Sequence, residues 1–129
     1  MNKAKEFFIR EYNNEKMLIH SECVVECCLG MAEDSDLNKD IFIIAGWIHD
    51  MGKIVDKENH HEESIPFLHK FLKENPEYND LKEELEDSIL NHRTTGNLKT
   101  VYGMILRTAD KAASHKLKYI KWKLDKKKL

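Results

Sequence analysis

Residues 41–51, IFIIAGWIHDM, are apolar on nearly every side. A helix with no polar face cannot lie on a surface, so other elements must surround it. The chain therefore needs enough amphipathic segments to wrap one central post. The same run closes on His49-Asp50 and continues as Gly52-Lys53. An ionised carboxylate at the end of so apolar a segment costs several kcal/mol unless something positive compensates it. Either the pair lies at a wet helix end, or a cation belongs there.

The remaining segments read as helices. Residues 3–13 mix Phe7, Phe8 and Ile9 with charges, and residues 15–33 carry Met17, Leu18, Val24, Val25, Cys28, Leu29 and Met31 close to a 3.6-residue period. EDSDLNKD is rich in N-cap residues and starts the central helix, and Gly52 is placed to end it as a C′ residue. DKENHHEESIPFLHKFLKE reads as a loop and then a helix, with Ile65, Phe67, Leu68, Phe71 and Leu72 inward and Pro66 in its first turn. Asn75-Pro76 ends that helix. Residues 80–91 align Leu81, Leu85, Ile89 and Leu90, HRTTGN reads as a loop, and residues 98–113 turn Val101, Met104, Ile105 and Ala109 inward. No sustained period-2 run and no Asn-Gly or Asp-Gly turn appears. The expected class is all-α, a compact single-domain bundle of six or seven helices. It would span residues 1–129, with a core at about 15–115 and a basic C-terminal helix over 115–129.

Charge and cysteine content narrow the classes. Twenty-one Lys and Arg against 23 Asp and Glu leave a net charge of −2, which favours no polyanionic partner. No apolar run approaches the 20 residues of a membrane span, and MNKAKEFFIREYNNEK lacks a signal-peptide core. Cys23, Cys27 and Cys28 are odd in number and clustered, so they fit no disulfide framework and read as small buried hydrophobes. The expected address is the cytoplasm. The tail HKLKYIKWKLDKKKL sets Tyr119 and Trp122 among lysines. Such a segment can grip single-stranded nucleic acid, but an amphipathic last helix with Leu117, Ile120 and Leu124 on its core side is the favoured reading.

Metal-capable side chains gather at predicted inner faces and helix ends: His20, His49, Asp50, His60, His61, His92 and Asp110. Each alone reads as a cap, a surface group or a satisfied core residue. Together they supply the imidazole and carboxylate donors that divalent transition metals take, and helix ends converge readily in a bundle. His69 and His115 fall outside the pattern.

The order His20, then His49-Asp50 within HDMGK, then Asp110 within RTADKAAS resembles the HD-domain metal-dependent phosphohydrolases over about residues 15–115. One-metal members need only the four matching positions. Two-metal members add a histidine after the HD pair and another before the last aspartate. HHEES is similar to their His-x-x-Ser/Gly helix opening, which implies His61 rather than His60, with His60 the alternative. ILNHRTTG implies His92. The resemblance therefore implies six ligands, His20, His49, Asp50, His61, His92 and Asp110, with Asp50 bridging two ions among Fe, Mn, Co, Ni or Zn.

Two divalent ions about 3.5–4 Å apart polarise a phosphoryl oxygen and bring the pKa of a bridging water toward neutrality, so a hydroxide can attack phosphorus in line. By the same resemblance Lys53 meets a substrate phosphate, with Arg93 a weaker candidate and Arg107 and Lys111 surface residues. The expected substrate is a small phosphorylated molecule such as a nucleotide, with no membrane partner. A single-domain nuclease, a di-iron oxygenase and a metal or nucleotide sensor are the competing classes. HRTTG departs by one inserted residue from the His-Thr-x-Gly stretch of HD-type diadenosine tetraphosphate hydrolases, so it assigns no substrate.

Overall fold

The computed structural model describes residues 2–91, 101–113 and 115–127. These form seven α-helices: α1 (Lys3–Glu11), α2 (Glu15–Met31), α3 (Lys39–Ile48), α4 (His60–Glu74), α5 (Lys82–Asn91), α6 (Val101–Ala113) and α7 (Leu117–Lys127). There is no strand among the described residues. Asparagines open the first three helices. Asn2, Asn14 and Asn38 accept the backbone N–H groups of Lys5, Met17 and Asp40 at 2.9–3.0 Å, satisfying amides that a helix start leaves without partners.

Helix α3 is the central post. Ile41, Phe42, Ile44, Ala45, Gly46, Trp47 and Ile48 are all buried. Full burial of each large apolar side chain contributes roughly 1.5–3 kcal/mol, so its C-terminal end is held firmly. Phe8 of α1 packs on Trp47, with ring centroids 5.3 Å apart. Helix α2 crosses α3 at Gly46, where a Cβ would lie 2.5 Å from Cγ2 of the buried Val25. Only a glycine allows so close a crossing, and it draws His20 on α2 toward the end of α3.

Four local expectations are revised. Gly52 does not end α3 in a left-handed conformation, since no glycine has positive φ among the described residues. The helix instead passes into a 3₁₀ turn over Met51–Ile54. Helix α4 begins at His60, well before Pro66, which lies inside it. Val101 and Met104 of α6 are exposed, and Gly103, Leu106, Ala109 and Ala113 face inward. The inward stripe of α6 is thus rich in small residues, which permit close approach to α2. Helix α7 buries Tyr119 and leaves Ile120 and Leu124 exposed, contrary to expectation for those two, while the Leu117 side chain lies outside the described ones.

The cysteine reading holds for two of the three, and Cys27 is half-buried at the edge of the core. Cys23 and Cys28 are fully buried free thiols. Burial pushes the Cys28 thiol up to about 12, so it stays protonated and unreactive at neutral pH.

Candidate metal centre

The end of α3 explains how sequence neighbours share one point. On a continuing helix, side chains of His49 and Asp50 would diverge by about 100°. Here His49 keeps helical angles (φ −54°, ψ −29°), while Asp50 turns to φ −107°, ψ 3°. The two groups then converge, with His49 Nε2 lying 3.2 Å from Asp50 Oδ2.

His20 comes from α2 and Asp110 from α6. His20 Nε2 is 2.9 Å from Asp110 Oδ1 and 3.3 Å from Asp50 Oδ2. His49 Nε2 is 3.3 Å from Asp110 Oδ1. The four ligand atoms all lie within 4.8 Å of one another. His49 is fully buried, Asp50 nearly so, and His20 and Asp110 are half-buried. Two imidazoles and two carboxylates at this spacing form a donor set that can hold a divalent metal.

Backbone carbonyls aim two of the rings. A carbonyl only accepts, so His49 Nδ1–H donates to Gly46 O at 2.8 Å and its Nε2 faces the cluster. His60 repeats the arrangement, donating from Nδ1 to Lys57 O at 2.9 Å while Nε2 lies 3.2 Å from Asp50 Oδ1. Such outer partners fix the tautomer and direction of metal-binding histidines. His61 is buried beside His60, ring centroids 3.9 Å apart. The two oxygens of Asp50 therefore face different ways: Oδ2 toward His20 and His49, Oδ1 toward His60. Lys53 turns inward, its Nζ 3.6 Å from Asp50 Oδ2. His92 lies outside the described residues, as do Arg93, Thr94, Thr95 and Gly96.

Ser64, which in the sequence is only part of the motif that marks its histidine, ties these pieces together. Its hydroxyl accepts the Gly52 N–H at 2.8 Å and sits 2.9 Å from His49 O and 2.6 Å from His60 O. One proton serves either carbonyl in turn. Tyr12, at the end of α1, is a neighbour that no motif marks: burial raises the pKa of its phenol, and the nearby Asp50 charge adds to the effect. His69 pairs with Glu86 at 2.7 Å, away from the cluster, as its position outside the pattern implied. Arg107 donates to Asn91 O at 3.3 Å and so ties α6 to the end of α5.

Within the cluster the histidines and carboxylates compensate one another's charge. Burial opposes protonation of His49, but the Asp50 and Asp110 carboxylates override it and raise its pKa well above the ordinary 6.5. His20 is raised for the same reasons, burial being outweighed by Asp110 and Asp50. Burial would raise Asp50 and Asp110, yet the facing histidines hold both below the usual carboxylate range. A histidine with a raised folded pKa stabilises the fold fully below 6.5, and that contribution is lost as pH rises through the folded value. The lowered carboxylates contribute above 3.8 and lose their contribution as pH falls toward their folded values. Protein held in chelator is thus expected to melt at steadily lower temperature as pH is raised from 6.5 to 9. Added divalent metal should reverse the loss, because the cation replaces the protons. Thermal scans by circular dichroism check this; a melting temperature that stays flat or climbs in chelator would contradict the charge assignment.

Fold and cluster together define an all-helical protein with a buried His/Asp centre able to hold a divalent metal. The family model of the HD domain matches residues 17–114, and the chain belongs to that family. Its members are generally metal-dependent hydrolases of phosphorylated substrates. No curated protein and no solved structure matches the chain significantly. No helix of the described residues is long and apolar enough to cross a membrane.

Proposed function

We propose that this chain is a metal-dependent phosphohydrolase of small phosphorylated substrates, with nucleotides the first class to test. The observation that carries the reading is the division of Asp50: one carboxylate oxygen faces His20 and His49, the other faces His60. A carboxylate so placed suits a bridge between two ions. His20, His49, Asp50 and Asp110 would hold one. Asp50 with His60 would hold the second, to which the motif resemblance adds His92. His60 takes the place that the motif resemblance gave to His61, because its carbonyl-anchored ring presents Nε2 to Asp50. Fe, Mn, Co, Ni and Zn all suit the donors. The clustered, reduced cysteines suit a cytoplasmic setting.

Bound divalent ions supply Lewis acidity to a phosphoryl oxygen and acidify a water. The chain contributes direction and charge. The α3 post and its carbonyl bond hold His49, Ser64 fixes the start of α4 against the turn after Asp50, and Lys53 offers an ammonium to an incoming phosphate. Lys53 now sits on Asp50 Oδ2, and neutralisation of that carboxylate would release it toward the substrate.

Elemental analysis of gently purified protein, followed by turnover of nucleotides, phosphodiesters and single-stranded DNA, tests the proposal. Metal retention with release of phosphate or nucleoside monophosphate is expected. Full loading without turnover of any phosphoester overturns it, and oxygen consumption by an iron-loaded sample would put an oxygenase in its place. Lys53→Ala is expected to raise KM about 10- to 100-fold, the worth of a hydrogen bond to a charged group. Metal content should stay unchanged; an unaltered KM would remove Lys53 from the phosphate role.

A further inference from the structure

His20 differs from its neighbours in how it is held. His49 and His60 are each anchored through Nδ1 to a backbone carbonyl. His20 has no such partner among the described residues; its hydrogen-bonding contacts run through Nε2 to Asp50 and Asp110. Its direction rests instead on ring packing. One neighbour is His49, with centroids 5.8 Å apart at 45°. The other is Tyr119, edge-on at 6.1 Å and 66°. Tyr119 belongs to α7, beyond residue 114 where the family match ends.

Tyr119 is itself well supported. It is 8% exposed and, among the described side chains of α7, the one in the buried core. Trp122 stacks behind it at 6.1 Å and 26°, and Lys123 Nζ lies 5.6 Å from its ring centre. Helix α7 packs against α2, the helix that carries His20. Tyr119 and Trp122 thus pack on the core while Ile120 and Leu124 are exposed.

We propose that Tyr119 is a positioning residue for the metal centre: α7 lays its ring against His20 and thereby fixes the direction of His20 Nε2. A ring edge against an imidazole restricts the side-chain rotation that a carbonyl bond restricts in His49 and His60. The phenol hydroxyl plays no part in that contact, so a phenyl ring serves as well. The inference rests on the proposed role of His20 as a ligand.

Cobalt(II) titration of the full chain tests it, read both as affinity and as the visible d–d spectrum. Tyr119→Ala is expected to weaken binding roughly tenfold, the scale seen when outer supports of metal-binding histidines are removed. It should also alter the spectrum. Tyr119→Phe should match the wild type in both. If Tyr119→Ala fails to fold, Tyr119→Leu keeps apolar volume without a ring and is expected to show the same loss. Unchanged affinity and spectrum in the ringless variants overturns the inference, as does an equal loss in Tyr119→Phe. Cobalt binding without turnover of any phosphoester would sink the hydrolase reading and leave these results standing. If the wild type binds no cobalt, the His20 ring-proton shifts of the metal-free protein decide: displacement in Tyr119→Ala upholds the contact, and unmoved signals overturn it.

Discussion

Asp50→Asn is expected to empty the centre of metal while leaving the helices in place. The side chain is 2% exposed and keeps its shape in the variant. What changes is charge. Asp50 Oδ2 lies within 3.6 Å of His20, His49 and Lys53, and Oδ1 lies 3.2 Å from His60. An amide offers one neutral oxygen and an N–H₂ that cannot ligate a cation. Outer supports alone are worth 10- to 100-fold in metal affinity, so loss of the shared carboxylate should exceed about 100-fold. Turnover should fall to background. Metal content by elemental analysis and affinity by calorimetry measure the effect, with circular dichroism reporting the fold. Stoichiometric metal and wild-type turnover in Asp50→Asn would remove Asp50 from the centre.

Gly52→Ala should be nearly as damaging, for a steric reason. An added Cβ would lie 2.1 Å from His60 O, 2.6 Å from Ser64 N and 2.8 Å from Glu63 C, far inside the 3.4 Å of ordinary contact. All three atoms are backbone, so no side chain can swing aside. The start of α4 must move, the Gly52 N–H to Ser64 Oγ bond is disturbed, and His60 leaves Asp50. Overpacking and a disrupted buried hydrogen bond together cost about 3 kcal/mol or more. A displacement of about 1 Å at a catalytic group costs on the order of 100-fold in rate. Gly30→Ala is the matched control: nothing lies within 4 Å of its added Cβ. That change should stabilise α2 by up to about 1 kcal/mol. Thermal unfolding and turnover of both variants separate the cases. If Gly52→Ala melts and turns over like Gly30→Ala, the close approach of the turn to α4 is not what the site requires.

Much of this arrangement was legible in the chain itself. The unbroken apolarity of residues 41–48 required a buried helix, and the absence of any period-2 run required helices around it. The order of His20, His49-Asp50 and Asp110 carried the family resemblance, and these four do meet. Polarity along a segment reports that a helix exists and about where it stops. The motif around Ser64 could be noticed as a pattern, but not as the link between three backbone segments.

What the amino-acid order determined by itself was the helical class, the buried post and the identity of the donors that gather at its end. Those follow from local periodicity and side-chain chemistry, which act over a few residues. Tertiary structure alone decided direction. Which of His60 and His61 presents a nitrogen to Asp50 depends on where α4 begins relative to the turn after α3. The inward face of α6 follows its small residues because a close neighbour rewards compactness over apolarity. Tyr119 reaches His20 across about 100 residues of chain because two helices happen to pack, and that contact leaves no local trace.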